Sequence, residues 1–418
     1  MRRASQFILI FLFLLSIFSC NNVTKNVTTL PKITFSEDPS NAICSKQNLT
    51  QYSDLISIHT LPNPFLNQEG NLLIKKSDWL CRKQEIGYQA QEFSLGIKPP
   101  KPQSVRSELK GNQLRVIIEH QGKTTEFTAE ISWPKTGQEP YPAIIGIGGS
   151  WINNEELLNQ GIAIIKFPNN EIAEQLNSSS RGKGKFFDLY GQDHSAGALI
   201  AWAWGVSRLI DGIELSAKDQ INPQRLGVTG CSRNGKGALV AGAFDQRIRL
   251  TIPQESGSGG STTWRVSEMQ LARGQNVQTL RQIVQENVWF RDSFKEFSES
   301  ANKLPFDQHL ILGMVAPRAL LLTENTSMEW LGNESTYVSA LAAKTIWQAL
   351  NVTNSFGFSQ QGGHNHCQLP AAQAVEVNAF VQKFLLDKNE VSTQIFRTDG
   401  NFNTDVNRWI NWQTPKLK

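Results

Sequence analysis

The first apolar run extends from Phe7 to Phe18, interrupted only by Ser16, behind Arg2 and Arg3 and ahead of Ser19-Cys20. A basic start, a short apolar stretch and a small residue predict a secretory signal peptide over 1–20, and the run is too short to span a bilayer. Ile17-Phe18-Ser19-Cys20 also has the shape of a lipoprotein cleavage box, which makes Cys20 a candidate lipid anchor. Export to the outside, released or held as a surface lipoprotein, is therefore expected. Residues 21–42 are polar, rich in Asn and Thr, and without period, as a linker is. Residues 44–105 hold Pro62, Pro64, Pro99, Pro100 and Pro102 and predict an irregular N-terminal wrap. From residue 113 the pattern becomes extended. Leu114–His120 and Thr124–Trp133 predict a hairpin turning at Gln121-Gly122.

Beyond the hairpin, short apolar runs alternate with helical periods. Strands are predicted at Pro142–Ile147, Gly161–Phe167, Leu226–Thr229, Ile248–Ile252, Arg318–Thr323 and Ser355–Ser359. Helices are predicted at 195–213, with Leu199, Trp202, Val206, Leu209 and Ile210 on one face, and at 237–244, 338–350 and 371–386. Uninterrupted apolar strands between helices require a mostly parallel sheet covered on both faces, a three-layer αβα sandwich. A single catalytic domain is expected over 43–390, wrap included, with a C-terminal tail over 391–418. In such sheets the active groups lie beyond the C-terminal strand ends. Ser232, Glu255, Glu324 and His366 all fall at such ends.

Composition narrows the function. The 418 residues are 39% hydrophobic and 19% charged, which are globular values. The net charge of +4 comes with no basic block or stripe, so nucleic acid is not an expected partner. Eleven tryptophans suit either a core or a sugar-facing surface, and the count does not separate the two.

A serine hydroxyl is a weak nucleophile and needs an adjacent base. A tight strand-to-helix turn lifts it out of the sheet and aims the next helix N-terminus at a developing oxyanion. Gly230-Cys231-Ser232-Arg233-Asn234-Gly235-Lys236 has the small residues such a turn needs, although Asn234 stands where the elbow pattern G-x-S-x-G has its second glycine. Ser232, Glu255 and His366 follow the order nucleophile, acid, base of the α/β-hydrolase fold. His364 is the alternative base, and Glu324 and Glu329 are alternative acids.

Several motifs carry a resemblance. Gly-Cys-Ser-Arg-Asn-Gly-Lys-Gly-Ala at 230–238, Pro-Gln-Glu-Ser-Gly at 253–257 and His-Asn-His-Cys at 364–367 resemble the glucuronoyl esterases of carbohydrate esterase family 15. So do Asp193-His194-Ser195, the run Ala201 to Arg208, and Glu329-Trp330-Leu331-Gly332. The resemblance implies hydrolysis of the ester between 4-O-methyl-glucuronic acid of glucuronoxylan and an alcohol of lignin, with no metal and no other cofactor. It assigns Ser232 as nucleophile, His366 as general base and Glu255 as the acid that orients it. Arg233 resembles the family's oxyanion-hole arginine. Lys236, Gln278, Glu286 and Trp330 match positions that bind the uronate. A monomer is expected. An acetyl or feruloyl esterase of plant polysaccharide, or a non-catalytic carbohydrate-binding relative, are the alternatives.

With Cys20 set aside, four cysteines allow three pairings. The resemblance selects Cys231–Cys367 and Cys44–Cys81. Fungal relatives carry a further bridge where this chain has Thr336 and Ser339, so a looser segment near Trp330 is expected. Asn-x-Ser/Thr sequons stand at Asn22, Asn26, Asn48, Asn177, Asn325, Asn333 and Asn351.

Overall fold

A computed structural model describes Glu37, Cys44 and residues 50–418. The signal peptide, Cys20, most of the linker, and Asn22, Asn26 and Asn48 lie outside the described residues. No helix among the described residues is long and apolar enough to cross a membrane.

Ten strands build one sheet: β1 Ser104–Lys110, β2 Gln113–His120, β3 Lys123–Ser132, β4 Tyr141–Ile147, β5 Ala163–Phe167, β6 Ile221–Cys231, β7 Ile248–Gln254, β8 Ala319–Glu324, β9 Phe356–Gln360 and β10 Phe396–Thr398. Their spatial order is β1-β2-β3-β5-β4-β6-β7-β8-β9-β10. β1 to β3 form an antiparallel meander, β3 meets β5 antiparallel, and every later pairing is parallel. The α/β-hydrolase architecture expected from the pattern is present. β8 is buried at every position and β4 at every position after Tyr141. Side chains on both faces of these strands meet helices, which is why their sequences are apolar without alternation.

The helix Ala198–Ser216 is buried at every position from Ala198 to Ile213, not on one face only. It runs through the core, and its charged residues need partners there. Arg208 pairs with Asp211 at 2.8 Å and with Glu37, and Arg247 reaches Asp211 at 2.6 Å and Asp245 at 2.7 Å. Glu37 falls within the stretch read as linker, yet its carboxylate sits between Lys98 and Arg208. Burial would raise its pKa; those two cations hold it down at about 2.

The wrap contains a helix, Lys76–Ala90, tied down by the Cys44–Cys81 disulfide. Residues 391–418, expected as a tail, pack onto the body. β10 extends the sheet beside β9, Trp409 and Leu417 are buried, and the Lys418 N–H bonds the Ile74 carbonyl at 3.0 Å. The tryptophans divide. Trp79, Trp202, Trp204, Trp264 and Trp347 are core residues, while Trp151 and Trp330 are exposed on loops beyond strand ends.

Candidate active site

β6 delivers Ser232. The strand ends at Cys231, the helix Arg233–Phe244 begins at once, and Ser232 between them takes φ +58°, ψ −125°. A non-glycine residue pays for that conformation with about 1–3 kcal/mol, a cost that concentrates at functional turns. The crossing is tight. A Cβ on Gly230 would lie 2.4 Å from the Asn234 carbonyl oxygen, and one on Gly235 would lie 2.7 Å from that of Gln254. Asn234 fits the elbow because glycine faces it: Gly148, at φ +64°, would put a Cβ 2.6 Å from the Asn234 amide nitrogen. Asn234 Oδ1 accepts from the Asn169 side-chain amide at 3.2 Å.

The Gly148 and Gly149 loop after β4 stands where many such folds take an oxyanion-binding N–H. Here both amides are used locally. Gly148 donates to the Phe167 carbonyl at 3.2 Å and Gly149 to that of Gly146 at 3.3 Å. A side-chain donor at the turn is thus chemically useful, and Arg233, exposed at the start of the helix, is the cation there.

β7 lies beside β6 with Gln254 opposite Cys231. Glu255, one residue on, takes φ +44° and is 1% exposed. Its carboxylate accepts from His366 Nδ1 at 2.6 Å and from the Cys367 N–H at 3.1 Å. His366 leaves a third of its side chain exposed. The Cys231–Cys367 disulfide, with Cα atoms 5.7 Å apart, joins the residues adjoining Ser232 and His366. The two sulfurs and the imidazole lie within 4.8 Å of one another. That trio has ligand-type atoms, but both sulfurs are spent in the disulfide, and a disulfide is not the thiolate a metal needs.

The alternatives fall elsewhere. Both ring nitrogens of His364 lie near backbone carbonyls, Nε2 at 2.9 Å from Gln361 and Nδ1 at 3.0 Å from Asn365. Its Nδ1 is 3.9 Å from Glu255, beyond a hydrogen bond. Glu329 is exposed on the turn Glu329–Leu331. Glu324, at the end of β8, accepts from the Ser261 hydroxyl at 2.6 Å instead of from a histidine. Burial pushes its pKa up to about 8, with Glu255 adding to the rise. Asn325, despite its sequon, is fully buried and bonds the His364 carbonyl at 3.1 Å.

A second group of side chains gathers around Lys236, one turn along the helix from Ser232. Lys236 is 4% exposed and donates to the Ser256 carbonyl at 2.7 Å. Burial lowers its pKa to about 8 against the pull of Glu286 and Glu324. The Gln278 amide bonds the Glu286 carboxylate, and the Gln278 N–H bonds the Trp330 carbonyl at 3.1 Å. Thr336, where a bridge was expected to be missing, bonds the Thr262 hydroxyl at 2.7 Å, and Thr262 in turn donates to the Leu331 carbonyl at 2.9 Å. The segment after Trp330 is thereby anchored by hydroxyls. One participant has no sequence signal: buried Trp289, whose ring centre is 5.4 Å from Lys236 Nζ and 5.7 Å from the Arg233 guanidinium.

Residues 116–351 match the model of the family described as glucuronyl esterase, fungi. The chain belongs to this family. It is 49% identical over 362 residues to the 4-O-methyl-glucuronoyl methylesterase of Podospora anserina, covering 85% of this chain and 74% of that one. The glucuronoyl esterase catalytic domain of Hypocrea jecorina superposes with a TM-score of 0.85 at 42% identity, covering 90% of this chain and all of that one. A serine-to-alanine variant of the Sporotrichum thermophile glucuronoyl esterase, solved with methyl 4-O-methyl-β-D-glucopyranuronate, superposes at 0.84 and 43% identity with the same coverage. With its family the chain is an ester hydrolase.

Proposed function

We propose that the chain hydrolyses the ester between 4-O-methyl-D-glucuronic acid of glucuronoxylan and lignin alcohols, through an acyl-enzyme on Ser232. The observation that carries this reading is the 2.6 Å contact of His366 Nδ1 with buried Glu255, on an imidazole fastened beside the Ser232 turn by Cys231–Cys367. A carboxylate on Nδ1 leaves Nε2 as the acceptor for a proton and stabilises the imidazolium that follows.

Ser232 Oγ attacks the uronate carbonyl carbon as its proton passes to His366. Arg233 faces the oxyanion with its backbone N–H, at the helix N-terminus, and with its guanidinium. Collapse breaks the bond to the alcohol, which leaves with the proton from His366. Water then attacks the acyl-enzyme, gives its proton to His366, and the returning proton regenerates Ser232. Lys236, Gln278 and Glu286 suit the uronate hydroxyls, and exposed Trp330 offers an apolar wall for the methoxy group. The uronate found in the Sporotrichum thermophile relative supports this substrate class. The two disulfides suit the export expected from the leader, and no part of the mechanism calls for a second subunit.

The test is alcohol release from methyl and benzyl glucuronate esters. Wild-type turnover abolished in Ser232→Ala is the expected result. A wild type no more active than that variant would sink the proposal, and faster turnover of aryl acetates or feruloyl esters would reassign the substrate.

A further inference from the structure

We propose that Trp289 is a positioning residue for the reaction, one indole that sets both the Arg233 guanidinium and the Lys236 ammonium. The problem it answers is electrostatic. Arg233 and Lys236 stand three residues apart in the first turn of the helix Arg233–Phe244, so their side chains share a face. Like charges at that spacing repel, and a helix N-terminus is itself positive. Lys236 is also almost wholly buried. Each condition works against a fixed geometry for the two cations.

The indole is placed to counter this. Its ring centre lies 5.7 Å from the Arg233 guanidinium carbon and 5.4 Å from Lys236 Nζ, both within cation–π range. The ring is 2% exposed and Lys236 is buried beside it, so that pair is little screened by water, while exposed Arg233 makes the weaker contact of the two. It is also latched. The indole N–H donates to the Gln175 side chain at 3.0 Å, and the neighbouring Asn287 amide bonds the Gln175 backbone carbonyl at 2.9 Å. Edge-on packing of Trp264 against Phe290 at 5.9 Å supports the same segment from the core. Gln175 thus holds the ring, and the ring holds two cations to which the proposed mechanism gives different tasks. The role proposed for Trp289 is exerted through these two cations.

This rests on the proposed function, and wild-type turnover of methyl glucuronate with an inactive Ser232→Ala establishes that reading separately. The test compares Trp289→Leu, which keeps an apolar side chain but no π face, with Trp289→Phe, which is also smaller than tryptophan but keeps a weaker π face. Each is assayed on a methyl glucuronate ester and on p-nitrophenyl acetate, which lacks the uronate hydroxyls. The leucine variant should raise KM and lower kcat on the glucuronate, each by roughly 2- to 30-fold. On the acetate it should lower kcat alone. The phenylalanine variant should recover most of both effects. Leucine and phenylalanine variants with the same kinetics, or a leucine variant within twofold of wild type, would overturn the proposal. If Trp289→Leu fails to fold, Gln175→Leu releases the indole N–H while leaving the ring in the core. Losses on both substrates would then support the proposal, and wild-type kinetics would overturn it.

Discussion

Two disulfides of the same kind sit at different places in this chain, and the pair makes an internally controlled experiment. Cys231–Cys367 closes 136 residues and Cys44–Cys81 closes 37. By the chain-entropy relation these loops are worth about 5 and about 4 kcal/mol of stability. Serine replacement of either pair should therefore lower the urea or thermal midpoint by comparable amounts. Catalysis should respond differently. Cys231 adjoins Ser232, Cys367 adjoins His366, and the Cys367 N–H is one of the hydrogen bonds on Glu255. Loosening that join lets Ser232 and His366 drift relative to each other, and on the proposed mechanism a displacement of about 1 Å costs on the order of 100-fold in rate. Cys231→Ser/Cys367→Ser should lose at least tenfold in kcat at a temperature where both variants are fully folded. Cys44→Ser/Cys81→Ser should keep kcat within about threefold, because that bridge fastens the wrap helix and no group of the site. Alcohol release and circular dichroism at matched temperatures decide the matter. Equal kcat losses in the two variants, or an unaffected Cys231→Ser/Cys367→Ser enzyme, would refute the clamp.

Glu255→Gln removes the charge that stabilises the imidazolium but keeps the shape, and should cut kcat by roughly 10³–10⁴-fold with KM little changed; a loss below tenfold on methyl glucuronate would reject Glu255 as the orienting acid. Lys236, with its pKa lowered by burial to about 8, is a cation below that pH and neutral above it, so KM for the uronate should stay level in acid and neutral buffers and rise beyond pH 8. Lys236→Met should show the higher KM at every pH, and a pH-independent wild-type KM would contradict the assignment. Glu324 has its pKa raised from 4.5 to about 8 by burial, so between those values the folded state binds a proton that the unfolded state has lost. Its contribution to stability is complete below pH 4.5 and disappears as pH rises towards 8, at up to about 1.4 kcal/mol per pH unit. Glu324→Gln should remove that slope from urea midpoints measured between pH 5 and 8, and an unchanged slope would show that the group ionises normally.

The strands between residues 141 and 360 were legible in the sequence because both of their faces are covered. Burial on both sides leaves an unbroken apolar run, and β4 and β8 are such runs. β1, Ser-Val-Arg-Ser-Glu-Leu-Lys, was not legible, because it lies at the edge of the meander and is half exposed along its length. The helix Lys76–Ala90 was hidden for a different reason. Its buried positions include Arg82, Lys83, Glu85 and Gln89, which no hydrophobic period would place inside. They are tolerated there because Arg82 pairs with Glu85 at 2.8 Å and Lys83 donates to Gln246 at 2.8 Å and to the Ala316 carbonyl at 3.1 Å. β10 is three residues long and exists through its register with β9, a tertiary fact.

The site divides along the same line. The positions of Ser232, Glu255 and His366, the proposed nucleophile, acid and base, were legible because chain order and strand ends locate them. The environment that tunes them was not, since a pKa near 8 on Glu324 or an indole under two cations depends on residues distant in sequence. The tuning has one direction. The helix N-terminus is positive, Arg233 is its first residue and Lys236 follows one turn on. In the resting protein these three repel one another, and none gains by the others' presence. On the proposed mechanism, an oxyanion formed over Ser232 is attracted by all three at once, and those attractions offset their mutual repulsion. Groups fixed before the charge develops stabilise the transition state more than the neutral ester. On the proposed mechanism, the resting repulsion is a consequence of that preorganisation, and Trp289, the Ser256 carbonyl and Glu286 are what allow the folded chain to tolerate it.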